Sequence, residues 1–304
     1  MYYFIITPNS SSGKSLLIWK SIEPVLKERG VTYHPFFTKD RESTAHLVHR
    51  LCTEKAPAVI VAVGGDGTVN DVLNGLTNFE QVTFAYIPSG SGNDLARGLH
   101  LETDPLKALK QILSGGQTGS IRIGELSTPA FSRRFLVSSG LGFDAAVCEG
   151  ALHSKFKKFL NQFHLGKLTY TGIALKEIFL SHCPKAKLIL DNDTVIETPT
   201  LLFASAMNLP YEGGGFQFCP EADSKDDHLD LILVEKMPKL KVFLLLPTAF
   251  FGKHTRFRGI HIHTFREARL ITEQPLFLHT DGEIPGKTSE VVWRLLPEAL
   301  TMIL

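Results

Sequence analysis

Across residues 2–125, short apolar runs of β type alternate with amphipathic segments: 2–6 then 16–28, 31–37 then 44–51, 58–63 then 68–76, and 82–87 followed by a helical pattern from Leu95. A buried run followed by a segment of helical period marks strands joined by crossover helices, which predicts a doubly wound α/β domain built on a parallel sheet. Gly30 and Pro57 fall between elements, where the chain is expected to turn. In such sheets ligands gather beyond the carboxyl ends of the strands, so the loops after Ile6, Phe37, Val63 and Ile87 are where chemistry is expected.

The pattern changes after Gly124. β-like runs recur at 135–139, 187–190, 201–207, 229–234, 260–265, 269–271, 276–279 and 291–295, with helical stretches at 155–179 and 240–251. This predicts a mainly antiparallel β-sandwich domain with helical excursions. The expected division is 1–125 and 126–304, and no long polar linker separates the halves. A chain of 304 residues is long enough for two cores.

Composition narrows the class. With 32 Lys+Arg against 31 Asp+Glu the net charge is +1, so no general field draws nucleic acid, and no nucleic-acid partner is expected. Cys52, Cys148, Cys183 and Cys219 lack the short paired spacings of zinc or redox motifs and are read as reduced thiols. The amino terminus lacks the basic region of a secretory signal, and the apolar run 242–251 contains Pro247 and is too short to cross a bilayer. A cytoplasmic protein without a transmembrane segment is expected.

The loop after Val63, Gly64-Gly65-Asp66-Gly67-Thr68-Val69-Asn70, ends a buried strand in glycines and begins a helix. Glycine allows close backbone approach, and a helix N-terminus offers unpaired N–H groups and partial positive charge to phosphates. Asp66 is placed to hold Mg²⁺ against those phosphates; its plainer role is cap chemistry. The following strand ends in a second such loop, Pro88-Ser89-Gly90-Ser91-Gly92-Asn93-Asp94-Leu95-Ala96-Arg97. The first loop, Thr7-Pro8-Asn9-Ser10-Ser11-Ser12-Gly13-Lys14-Ser15, has Pro8 where a Walker motif requires glycine, and alone it reads most simply as a polar turn.

The pair GGDGT-x-N and P-x-G-[ST]-x-N-D-x-A-R resembles the catalytic domain of the diacylglycerol kinase family, which includes soluble bacterial lipid kinases and sphingosine and ceramide kinases. NAD kinases and phosphofructokinases share only the first element. The resemblance continues through Phe36-Phe37-Thr38, Gly140-Leu141-Gly142-Phe143-Asp144-Ala145, Asn208, Gly213-Gly214-Gly215, Pro220 and Ala222, and ends in Thr280-Asp281-Gly282-Glu283. It implies ATP- and Mg²⁺-dependent phosphorylation of a lipid hydroxyl in an interdomain cleft, diacylglycerol giving phosphatidic acid being the leading reaction. Glu283 is the implied general base and Asp66 its catalytic partner. The implied nucleotide contacts are Thr7, Pro8, Asn9, Gly13, Thr38, Gly64, Gly65, Asp66, Gly67, Thr68, Val69, Asn70 and Ser91.

A structural Mg²⁺ is also implied, on Asp227 with the backbone carbonyls of Ser224 and Leu229. The family usually has glycine after that aspartate, where this chain has His228, and a plain acidic turn is the alternative. The expected partner is a lipid at a membrane surface, with a homodimer left open. Phe156, Phe159, Leu160 and Phe163 form a helical stripe beside Lys155, Lys157 and Lys158, and Lys253, Arg256 and Arg258 lie near Phe250, Phe251 and Phe257; each cluster fits either peripheral docking or an ordinary core face. Two other functions stay open: a NAD-kinase-like activity, and a nucleotide-binding lipid sensor without turnover.

Overall fold

The computed structural model describes residues 1–8, 10–54, 58–90, 92–153 and 182–304. Asn9, Pro57, Ser91 and the helix expected over 155–179, with its stripe of Phe156, Phe159, Leu160 and Phe163 beside Lys155, Lys157 and Lys158, lie outside the described residues. Two compact units are present, Met1–Ile123 together with Leu296–Leu304, and Gly124–Leu295.

In the first unit, β1 (Tyr2–Ile6), β2 (Tyr33–Phe37), β3 (Ala58–Gly64) and β4 (Val82–Pro88) pair in parallel in the order β2-β1-β3-β4. Crossovers run through α1 (Lys14–Glu28), α2 (Arg41–Glu54) and α3 (Asp66–Gly75), and α4 (Asp94–Gly98) and α5 (Pro105–Leu113) follow β4. Phe4, Ile6, Val61, Val63, Ala85 and Ile87 point from the sheet into a core closed by Trp19, Ile22 and Leu26 of α1 and by Leu109 and Ile112 of α5. The alternate set, including Ile5, Ile60 and Ala62, is equally buried. Both sheet faces are therefore covered, the reason these strands read as continuous apolar runs. At Gly75 a Cβ would lie 2.4 Å from the Ala45 carbonyl oxygen, so glycine lets α3 approach α2.

The second unit is mainly antiparallel. It contains the part of β5 (Thr118–Ser127) from Gly124 onward, β6 (Ser132–Phe135), β7 (Ser138–Gly142), α6 (Phe143–His153), β8 (Ala186–Leu190), β9 (Thr194–Thr198), β10 (Leu201–Met207), the short pair β11 (Tyr211–Glu212) and β12 (Phe216–Gln217), β13 (Leu229–Glu235), α7 (Lys239–Ala249), β14 (Ile260–Phe265) and β15 (Glu267–Thr280). The order β14-β13-β10-β7-β15 forms one ladder, while the earlier part of β15 pairs with β8, which pairs with β9. Leu231, Leu233, Leu270, Val291 and Trp293 fill the sandwich core.

Several local expectations change. The run 135–139 is broken at Leu136 and Val137, whose N–H groups donate to the Asp281 carboxylate, leaving β6 and β7 as separate strands. The runs at 269–271 and 276–279 are one strand, β15, with a register shift between Ile271 and Leu276. The chain end, which the sequence pattern groups with the second domain, belongs to the first unit. β16 (Glu283–Ile303) pairs with β15 along its early part, but Thr301 and Met302 pair in parallel with Thr83 and Phe84 of β4. Leu300 and Met302 are fully buried there, which supplies the driving force.

Candidate functional site

The polar loops at the carboxyl ends of the parallel strands in the first unit are tied together by side chains. Thr7 Oγ1 lies 3.3 Å from Thr38 Oγ1, joining the ends of β1 and β2. The Gly65 N–H donates to Ser10 Oγ at 3.3 Å, and Ser15 Oγ meets Ser89 Oγ at 2.8 Å inside the protein. Gly13 has φ of 89°, a left-handed conformation that lets the loop holding Thr7 and Pro8 turn into α1. A Cβ on Gly64 would lie 2.3 Å from Thr68 Oγ1, so the side chain of Thr68 fills the space that glycine leaves. A Cβ on Gly90 would come within 3.1 Å of Gly65 Cα, which shows how closely the two glycine loops approach.

Asp66 joins these loops. Its carboxylate accepts from the Asp94 N–H at 3.2 Å and the Leu95 N–H at 3.4 Å, while Gly65 caps α3 without a side-chain bond. Gly67, Thr68, Val69 and Asn70 form the first turns of α3, where the helix dipole favours an anion. Tyr86 Oη lies 3.2 Å from the Gly64 carbonyl oxygen, and burial, with the Asp66 and Asp94 charges, pushes its pKa well above the usual phenol value. It stays a donor behind the loop. Small side chains, clustered hydroxyls and a helix N-terminus fit a polyphosphate, and half-buried Asp66 fits a divalent cation beside it.

In the second unit, Asp281 and Gly282 have φ of 47° and 80° and turn β15 into β16, pairing Thr280 with Glu283. Positive φ at both central residues gives a tight hairpin turn. Asp281 is buried, and its carboxylate accepts from the N–H groups of Leu136, Val137 and Ser138 at 3.1, 2.9 and 3.1 Å. Glu283 follows as the first residue of β16 and is half-buried. The anchored aspartate thus sets where the glutamate stands.

Sequence reasoning missed a second feature of this unit. His279 Nε2 lies 3.1 Å from both Asp144 Oδ2 and Glu212 Oε1, and all three side chains are buried. The outer oxygens are held in turn: Asp144 Oδ1 accepts from the Ala145 N–H at 2.7 Å, and Glu212 Oε2 accepts from Ser205 Oγ at 3.1 Å. Burial alone would lower the His279 pKa, but attraction to Glu212 and the bond to Asp144 outweigh it and hold the imidazole well above its usual range. Burial raises the Asp144 carboxyl, whereas for Glu212 the same burial is outweighed by His279 and the carboxyl stays low. A Cβ on Gly140 would lie 1.8 Å from Asp144 Oδ2 and 2.5 Å from His279 Nε2, so only glycine leaves room. Among the described residues, this group has ligand atoms close enough to hold a metal ion.

The turn at 224–229 offers less to a cation. Asp227 is exposed and ion-paired to Arg266 Nη2, its backbone carbonyl accepts from Arg266 Nε at 3.2 Å, and the guanidinium holds its carboxyl below the usual range. Ser224 is buried and Leu229 opens β13 opposite Phe265. His228 is absent from the positive-φ residues, so the conformation that glycine would favour is not used here. With Arg266 already neutralising Asp227, these residues do not fit a structural Mg²⁺, and the acidic-turn reading describes them better.

Residues 1–126 match the diacylglycerol kinase catalytic domain, and residues 137–304 match the YegS C-terminal NAD kinase beta sandwich-like domain. The chain belongs to the diacylglycerol kinase catalytic-domain family. Within this family of lipid kinases, it is 28% identical over 293 residues to YtlR of Bacillus subtilis (strain 168), which is named as a candidate lipid kinase, covering 94% of each chain. It is 29% identical over 272 residues to a diacylglycerol kinase of Mycobacterium tuberculosis, covering 88% of this chain and 84% of the other. A crystal structure of a candidate diacylglycerol kinase from Bacillus anthracis str. Sterne superposes with a TM-score of 0.77 at 22% identity, covering 99% of this chain and 96% of that one. An NAD kinase from Archaeoglobus fulgidus solved with ATP reaches 0.55 at 14% identity, covering 100% and 94%. These two share the fold: an α/β unit followed by a β-sandwich.

For a diacylglycerol kinase-like chain, the loop residues were legible because their signal is local. The residues around His279 were not. Asp144 and His279 stand 135 positions apart, and only Asp144 lies in a recognisable motif. A histidine directly before Thr280-Asp281-Gly282-Glu283, with an acid directly before Gly213-Gly214-Gly215, was the available clue.

Proposed function

We propose that this protein is an ATP- and Mg²⁺-dependent lipid kinase that transfers the γ-phosphoryl group to a lipid hydroxyl, with diacylglycerol as acceptor and phosphatidic acid as product. The observation that carries this reading is the linkage of the loops in the first unit: Thr7 to Thr38, Ser10 to Gly65, Ser15 to Ser89, and Asp66 to the amides of Asp94 and Leu95. Such a polar assembly, closed behind by apolar strands, suits a triphosphate. Bound there, Mg²⁺ would supply neutralising charge on the phosphates, and Asp66 is the residue that would hold it.

The chain's own groups account for the rest. Backbone N–H groups at the start of α3 and the hydroxyls of Thr7, Thr38 and Thr68 orient the phosphates, at a site where little covalent help is needed. Glu283 takes the proton of the acceptor hydroxyl as its oxygen bonds to phosphorus and the bridging oxygen leaves with ADP. Asp281 fixes the turn that presents Glu283. The protein works in the cytoplasm, reaching its substrate from the membrane surface.

Labelled ATP offered with diacylglycerol, phosphatidylglycerol, undecaprenol, sphingosine and NAD, and read by product mass, tests the reading. Phosphatidic acid is the expected product, and phosphorylated NAD alone would overturn it. Glu283→Gln should reduce turnover on the order of 100-fold or more with the fold intact. Turnover near that of the unaltered protein removes the assignment of the base.

A further inference from the structure

Helix α7 is apolar on both sides. Val242 and Leu246 pack against the cluster around Phe203, Met207 and Ile232, and Leu245 and Ala249 are buried. The opposite side repeats Leu240, Phe243, Leu244 and Pro247, at the i, i+3, i+4 and i+7 positions of one helical stripe, Phe251 follows in the turn after the helix, and every one of these side chains is exposed. Leu240, Leu244 and Phe251 are 69%, 62% and 73% exposed, values far from those of a core face. A helix that is apolar all round is normally buried on every side. Here one side is covered and the other is not.

The turn that follows the helix is anchored by its own contacts. Phe250 stacks on Phe216 with ring centroids 4.1 Å apart, and buried His254 sets its Nε2 3.1 Å from the Phe218 carbonyl oxygen. Gly252, at φ of 65°, turns the chain into a short helical turn at Lys253–Arg256. Charge then selects the occupant. Between Pro238 and Gly259 the charged residues are Lys239, Lys241, Lys253, Arg256 and Arg258, with no Asp or Glu. Exposed apolar side chains in a segment whose own charged residues are all cations match an anionic lipid surface, where acyl chains receive the Leu and Phe side chains and headgroup phosphates face the cations.

We infer that α7 and the following turn, through Leu240, Phe243, Leu244 and Phe251 with Lys253, Arg256 and Arg258, form the surface by which this protein docks on anionic lipid bilayers. The inference rests on the lipid-kinase reading only for its purpose; the surface itself stands on exposure and charge. No helix among the described residues is long and apolar enough to cross a membrane; the docking inferred here is peripheral.

Flotation with vesicles of phosphatidylglycerol and phosphatidylcholine, against phosphatidylcholine alone, tests it with the full chain. Binding is expected to the anionic vesicles and to weaken several-fold with added salt. Leu244→Glu with Phe251→Glu should lower vesicle affinity on the order of 100-fold, and Lys253→Glu with Arg256→Glu about tenfold or more. Thermal melting of each variant establishes that it is folded. Folded variants that bind as the unaltered protein does, or an unaltered protein that ignores anionic vesicles, overturn the inference. So does a dimer in solution that the Leu244 and Phe251 substitutions dissociate while vesicle binding persists, which would assign the stripe to a second copy of the chain. ATP turnover on short-chain diacylglycerol dispersed in detergent reports on the kinase reading separately: its absence with vesicle binding intact defeats that reading and leaves this one.

Discussion

Asp66 in the first unit and Asp281 in the second each sit beside a glycine in a tight loop, and each accepts backbone N–H groups from a distant segment. Their surroundings differ. Asp281 is buried, and its three amide bonds of 2.9 to 3.1 Å use most of what a carboxylate can accept. Asp66 is half-buried, and its amide bonds, at 3.2 and 3.4 Å, are longer. The same chemical device therefore makes a buried anchor in one unit and a half-buried carboxylate in the other, the one proposed above to hold Mg²⁺. A buried carboxylate held by several short bonds contributes to stability, whereas a half-buried one stays within reach of solvent.

The sharpest test separates turnover from stability. Asp66→Asn should cut phosphoryl transfer to lipid by on the order of 100-fold or more while unfolding midpoints in urea shift little. If the variant keeps its turnover, Asp66 is an anchor like Asp281 and the contrast collapses. Next in size is His279→Gln, which leaves the buried Asp144 and Glu212 without their cation and should cost about 3–5 kcal/mol, measured by urea unfolding. The raised pKa of His279 also gives this cluster a pH signature. Its contribution is complete below the unfolded value near 6.5 and is lost as pH rises through the higher folded value. Melting temperatures that do not fall on the alkaline side would contradict a protonated His279.

Asp281→Asn follows, at about 2 kcal/mol, because the amide keeps one acceptor oxygen and tolerates the left-handed turn but loses the charge that three N–H groups share. Circular dichroism melts should show the loss, and an unchanged melt would demote Asp281 from anchor to ordinary turn residue. The smallest effect concerns Asp230, whose carboxyl burial pushes up to about 6, with His228 opposing and Asp226 and Glu221 adding. Since its folded pKa lies above the unfolded 3.8, ionised Asp230 destabilises the fold above about pH 6, and the penalty fades as pH falls toward 4. Asp230→Asn should raise the melting temperature by a few degrees at pH 7 and by nothing near pH 4. A gain at pH 4 equal to that at pH 7 would show that burial of the charge is not the cause.

The parallel strands and their loops could be read from the chain because each depends on a few neighbouring residues. Apolar runs such as 58–63 are followed at once by Gly64-Gly65-Asp66-Gly67-Thr68, and the helix starts there. The break between β6 and β7 could not be read, since Leu136 and Val137 look like strand residues until the Asp281 carboxylate claims their N–H groups. Asp227 gives the same lesson. Its turn resembles a metal site in sequence, yet Arg266, 39 positions later, supplies the counter-charge.

Sequence alone determined the α/β unit, the β-rich unit, the glycine loops and the family, because hydrophobic period and glycine spacing act over one or two turns of chain. Tertiary structure alone decided that Asp144, Glu212 and His279 share one buried cluster, that Leu296–Leu304 returns to the first unit, and that one apolar side of α7 faces outward. Each of these depends on which distant segments remove a side chain from water, and burial of that kind is a property of the folded assembly of segments.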